Sequence, residues 1–177
     1  RGAMLHLVLL YSLLAALYVL ALQLAALIES LGPSGFGALL AMSGVGMAIG
    51  AVVIAQAGHR FSRRILSATG LGTITWTLVL LSQLRGSLVF TLSLCGILGV
   101  GAALVAIPAQ TTIQEETPES ERGRVFGLQN NLINIALSLP LVLAGTLVSS
   151  IGLQPVLLLL AGLALTAALI ERPWQRC

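Results

Sequence analysis

Apolar stretches too long for a soluble domain set the first limit on this chain. Six of them, at residues 4–28, 35–57, 65–84, 87–110, 126–149 and 154–170, contain no charged residue. A helix needs about 20 mainly apolar residues to cross the hydrocarbon core of a bilayer, and about 17 is the short end of that range, where the last stretch falls. Strands are a poor fit, because a transmembrane strand takes roughly 10 residues with strict alternation. With no water in hydrocarbon, each segment must satisfy its own backbone, which favours helix. The expected fold is therefore an all-α membrane protein with six transmembrane helices. Composition agrees: 57% of residues are hydrophobic, 8% are charged and the mean hydropathy is +1.01. Soluble domains carry about 25% charged residues.

The charges lie between the stretches and set an orientation. There is no Lys and no Asp. Counted alternately from the N-terminus, one side holds Arg1, Arg60, Arg63, Arg64, Arg122, Arg124, Arg172 and Arg176, and the other holds Arg85 alone. Arginine in short loops marks the cytoplasmic side, so both termini are expected there, in a plasma or inner cell membrane. The glutamates at 115, 116, 119 and 121 do not alter this, since acids contribute little to the rule. The arginines are spread over short loops and form no single basic face, which argues against a nucleic-acid partner. The expected partners are the bilayer and a small molecule. Cys95 and Cys177 form no disulfide framework, and neither they nor His6 and His59 have metal-ligand spacing; no metal or cofactor is expected.

Turn chemistry marks the breaks. Gly32-Pro33 divides the first pair, residues 58–64 the second, Arg85-Gly86 the third and Gly152 the fifth, ahead of Pro155. The fourth break, residues 111–125, is the long one. In it Thr117 can cap and Pro118 suits a first helical position, so a short surface helix is expected there.

Residues within the stretches suggest a cavity. Gly127, Asn131, Asn134, Ser138, Gly145 and Ser149 fall within about 40° of one line on a helix, with Asn130 at the edge. Amides are costly in lipid, so this face should meet protein or a water-filled space. Interhelical bonding or headgroup contact is the competing explanation. Tyr11 and Tyr18 share a stripe with Ala15 and Ala25, which suits a wall for large apolar ligands or plain packing. Gly46 and Gly50, and on the fourth stretch Gly96 and Gly99, allow close helix packing. Pro108 should kink the fourth helix. No acid or histidine lies mid-stretch to relay protons; Glu29 is at a rim.

Two segments resemble a known family. Ala55-Gln56-Ala57-Gly58-His59-Arg60-Phe61-Ser62-Arg63-Arg64 is similar to the cytoplasmic signature loop of the major facilitator superfamily, roughly G-x-L-A-D-R-x-G-R-R. Arg60, Arg63 and Arg64 match; Ala55, His59 and Ser62 replace Gly, Asp and Gly. Ile107-Pro108-Ala109-Gln110, Gln114-Glu115-Glu116-Thr117-Pro118-Glu119 and Arg122-Gly123-Arg124-Val125-Phe126-Gly127-Leu128-Gln129-Asn130 resemble the region around the tenth and eleventh helices of multidrug exporters, most of all the macrolide-efflux-like branch. The resemblance covers the full length and implies the C-terminal half of a twelve-helix transporter. The six helices would form two inverted three-helix repeats, with an N-terminal six-helix half as partner. Spans one, two, four and five would then lie near the substrate cavity, and spans three and six towards lipid. The arginines of the loop would form an interdomain latch, reaching a helix C-terminus or a glutamate at 115–121. The implied activity is alternating-access transport, with export of a hydrophobic or amphipathic compound, and not catalysis. A non-transporting scaffold is an alternative. So is an intramembrane serine protease built on Ser43, although His6 and His59 sit at a rim, away from it.

Overall fold

The computed structural model describes residues 2–27, 35–83 and 87–170, and within them every regular element is helical. Six helices follow in order: α1 Gly2–Leu27, α2 Phe36–Ala57, α3 Arg63–Gln83, α4 Leu88–Glu116, α5 Arg122–Ile151 and α6 Leu153–Ile170. Five are long and apolar enough to cross a membrane; α6 contributes the shorter apolar helix Leu153–Leu169.

Local chemistry explains the helix ends. A 3-10 turn, Gly58–Arg60, follows α2. Ser62 then caps α3: its hydroxyl accepts from the Ile65 N–H at 3.4 Å, and its carbonyl accepts from the Leu66 N–H at 3.1 Å. Between α5 and α6, Gly152 takes a φ of +88°, where a side chain would be strained, and its N–H closes α5 on the Val148 carbonyl. Pro155 falls in the first turn of α6, where its missing N–H leaves no helical bond unmade.

The long break differs from expectation. α4 continues to Glu116 instead of stopping near Gln110, and α5 starts at Arg122 instead of Phe126. No separate surface helix forms, only a 3-10 turn, Glu119–Glu121, that runs straight into α5. Thr117 does not cap that turn; its hydroxyl donates back to the Ile113 carbonyl. The cause is Pro118, which forces the residue before it into extended backbone (φ −95°, ψ 116°) and so ends α4. An apolar run marks the hydrocarbon slab, whereas a helix can continue beyond it into polar surroundings.

The helices pack in a definite order. α2 lies on α4, α4 on α3 and α1, α1 on α5, and α3 on α6. A large central core joins α1, α3, α4 and α6, with Leu20, Leu71, Leu78 and Ala102 fully enclosed. Smaller clusters lie at the two ends. One gathers Ala25, Leu39 and Cys95. The other gathers Leu7, Ala109 and Ile113, with Tyr11, Val125 and Phe126 against them. α3 and α4 are half buried over their apolar windows (50% each), but α2 and α5 only 17% and 11%. The outward side chains on those two helices, such as Ile49, Val52, Ile135 and Val142, are apolar and exposed.

Glycines set the closest approaches. Gly46 abuts the Gly96 carbonyl, and Gly99 abuts the Ser43 carbonyl, so α2 and α4 meet backbone to backbone. A Cβ on Gly50 would come within 2.7 Å of Ala103 Cβ, and one on Gly70 within 2.7 Å of the Gly101 carbonyl. Dispersion between closely approaching backbones is a main source of helix association in lipid. Gly46→Ala should therefore destabilise the bundle by about 1–3 kcal/mol through overpacking. Gly72→Ala, where a Cβ meets nothing within 4 Å, should be neutral or slightly stabilising. Thermal unfolding of the two variants in one detergent measures the contrast.

Candidate functional site

α5 presents two unlike faces. It touches the bundle through a narrow stripe in which Gln129, Ala136 and Ala144 are buried. At about 100° per residue, Asn131, Asn134 and Ser138 point to the opposite side. All three are exposed, as are Asn130, Gly127 and Ser149. The Ser138 hydroxyl donates to the Asn134 carbonyl at 2.8 Å, so it is already satisfied within its own helix. Among the described residues, the side-chain amides of Asn130, Asn131 and Asn134 have no hydrogen-bond partner. Gln129, one step away, behaves differently: its Nε2 donates to Gln110 Oε1 on α4 at 2.8 Å, and its own Oε1 is buried without a partner. Helical spacing alone did not separate Gln129 from its neighbours. An amide interrupting an apolar stretch, paired with another across a helix gap, was the available signal.

The tyrosine stripe of α1 is split. Ala15 and Ala25 are buried at 4% and 0% exposure, so they belong to the core and not to a cavity wall. Helical spacing put them up to about 40° to either side of the tyrosines, enough to turn them inward. Tyr11 is half-buried and packs against the Leu7, Ala109 and Ile113 cluster. Tyr18 is 45% exposed and meets Phe36 edge-on, with ring centroids 5.9 Å apart.

At the end of the bundle that carries residues 58–62 and 117–121, Arg63 crosses from α3 to α4. Its guanidinium donates to Glu115 Oε2 at 2.6 Å and to Thr112 Oγ1 at 3.2 Å. Each charge is misplaced for its own helix, a cation at an N-terminus and an anion at a C-terminus. Pairing sets each against the opposite pole of the neighbouring helix, which suits both. Both side chains are about half exposed (47% and 56%), so the pair contributes only about 0–1 kcal/mol. Arg60 and Arg64 are exposed. Arg122 pairs with Glu119 in the preceding 3-10 turn at 3.4 Å.

The remaining candidates are structural in their surroundings. Gly46, Gly50, Gly96 and Gly99 lie in the α2–α4 contact, and Pro108 is buried inside α4. The Ser43 hydroxyl donates to the Leu39 carbonyl at 3.1 Å within the same contact region. The side chains of His6 and His59, and all of Glu29, Arg85 and Cys177, lie outside the described residues. Among the described residues no three His, Cys, Asp or Glu side chains come together as a metal site.

No curated protein matches the sequence. The family model of the Major Facilitator Superfamily matches residues 4–173, nearly the whole chain. Helices long and apolar enough to span a bilayer, joined by the arginine-bearing turn at 58–64, together with that match, place this integral membrane protein in the Major Facilitator Superfamily of membrane transporters.

Proposed function

We propose that the chain is one six-helix half of a secondary transporter that works by alternating access and exports a hydrophobic or amphipathic small molecule. The uncovered row on α5 carries this reading. Asn130, Asn131, Asn134 and Ser138 face away from the other five helices, on the helix least covered by them. Amide side chains at that depth are costly against lipid, so they call for a water-filled cavity or a second bundle. The half supplies one wall of that cavity, and Tyr18 adds an exposed aromatic surface suited to apolar ligands.

The packing order supports an inverted pair of three-helix repeats. Exchanging the first three helices for the last three turns the α2–α4 contact into the α5–α1 contact and maps α3–α6 onto itself, while the extensive α3–α4 contact has only a slight counterpart in α6–α1. Arginine bias favours a cytoplasmic position for both termini and for the Arg60, Arg63 and Arg64 turn. There the Arg63 contacts with Glu115 and Thr112 support a latch role for the loop. The partner of the exposed face is a second six-helix half, with the bilayer around both. The macrolide-like resemblance of residues 107–130 favours a drug-like substrate.

Asn134→Ala and Tyr18→Ala in the full transporter should each raise cellular accumulation of a lipophilic dye. Loss of one amide contact worth about 1–1.4 kcal/mol corresponds to a roughly 5- to 10-fold weaker apparent affinity. Unchanged export in both variants counts against the cavity assignment. For the latch, a double-mutant cycle of Arg63→Ala and Glu115→Gln should give a coupling of about 0.2–1 kcal/mol that fades in high salt. A coupling that ignores salt contradicts an exposed pair.

A further inference from the structure

α5 and α6 follow one another in the chain but barely touch. α1 holds α5 and α3 holds α6, while the corner at Gly152 joins the two at one end. The space left between them is a groove of about 580 Å³ lined by α1, α5 and α6. That volume falls in the range of about 300–1,000 Å³ typical of ligand pockets. Its floor is buried, with Ala16, Ala144, Val156 and Leu160 at 9% exposure or less. Its rims are exposed: Leu143 and Leu147 on α5, Leu159 and Leu163 on α6. Gly162 also lines the groove, and a Cβ there would meet nothing within 4 Å.

The groove and the polar row occupy different sides of α5. At about 100° per residue, Pro140, Leu143, Ala144 and Leu147 centre roughly opposite the line through Asn131, Asn134 and Ser138. A second bundle set against the polar row therefore leaves the groove open to the bilayer. The polar side chains in the lining are Ser12 and Thr166, at one end, and the Thr166 hydroxyl already donates to the Leu163 carbonyl at 2.9 Å. Water gains too few polar partners there to fill the space. Left empty, the walls would forfeit dispersion contacts. Hydrocarbon suits both conditions.

Length selects the occupant. From Val156 to Thr166, α6 rises about 15 Å at 1.5 Å per residue. One leaflet supplies about 15 Å of the roughly 30 Å hydrocarbon core. The groove begins about one turn from the Gly152 corner and ends beside Ser12 and Ala16, near the middle of α1. It therefore spans the leaflet farther from the Arg60–Arg64 turn.

We propose that this groove binds one acyl chain of a phospholipid from that leaflet, which fills the wedge and ties α5 to α6. The site lies apart from the polar row, so it stands whatever is transported.

Photolabelling tests it on the full chain in nanodiscs of phosphatidylcholine, a share of which carries a diazirine in one acyl chain. Samples are irradiated before and after detergent washing that strips loosely held lipid, and labelled residues are mapped by mass spectrometry. Before washing, label should reach both the groove and the exposed Trp76 on α3. After washing, label at Leu159, Leu160 and Leu163 should fall less than about twofold, while label at Trp76 falls about tenfold. Gly162→Phe, which fills the groove, should remove the retained label. Gly72→Phe, equally unobstructed on α3, should not. The wild-type comparison stands alone if a variant fails to fold. Equal loss at both places would reduce the groove to ordinary boundary lipid and overturn the site. So would label that never reaches the groove, meaning that protein covers it, or retained label that survives Gly162→Phe.

Discussion

The scarcity of water along apolar spans governs how their hydroxyl groups are used. Ser and Thr hydroxyls along the spans, such as Thr69, Thr73, Thr77, Ser93 and Ser138, donate back to carbonyls three or four residues earlier in their own helix. A hydroxyl so satisfied contributes nothing to holding helices together. Association then falls to close packing, which explains why α2 and α4 meet through Gly46, Gly50, Gly96 and Gly99. At the arginine-bearing end, polar side chains also bond between helices, where Arg63 meets Thr112 and Glu115, and Gln129 meets Gln110.

This division of labour gives the bundle a stiff middle and a differently built end. The middle is a continuous apolar core sealed by glycine contacts. The end past Pro108 has its own small cluster and a few directional bonds. A transporter of this family needs a bundle that stays intact while its ends rearrange, and the two kinds of packing suit those needs.

Much of this was legible in the sequence because hydrocarbon imposes simple rules. Uncharged stretches of sufficient length gave the six helices, and the Gly46 and Gly50 spacing pointed to a packing face. The limits of legibility are equally physical. Hydropathy reads the slab and not the helix, so the polar ends of α4 and α5 were missed. Thr117 looked like a cap by type, but the proline after it decided its backbone. Helical spacing grouped Ala15 and Ala25 with the tyrosines, and only the neighbours of α1 show which edge of that stripe is enclosed. For α5 the polar row was visible; that it faces away from the bundle, opposite Gln129, Ala136 and Ala144, required the packing.

The central claim is that this outward polar row borders water. Single cysteines placed in turn at positions 127–149 of the full transporter, then exposed to a membrane-impermeant thiol reagent, test it most directly. Reactivity should rise and fall with helical period, peaking at 127, 131, 134 and 138 and lost at 129, 136 and 144. Uniformly silent positions, or peaks on the buried stripe, would mean that the amides face lipid or packed protein and that no cavity lies there.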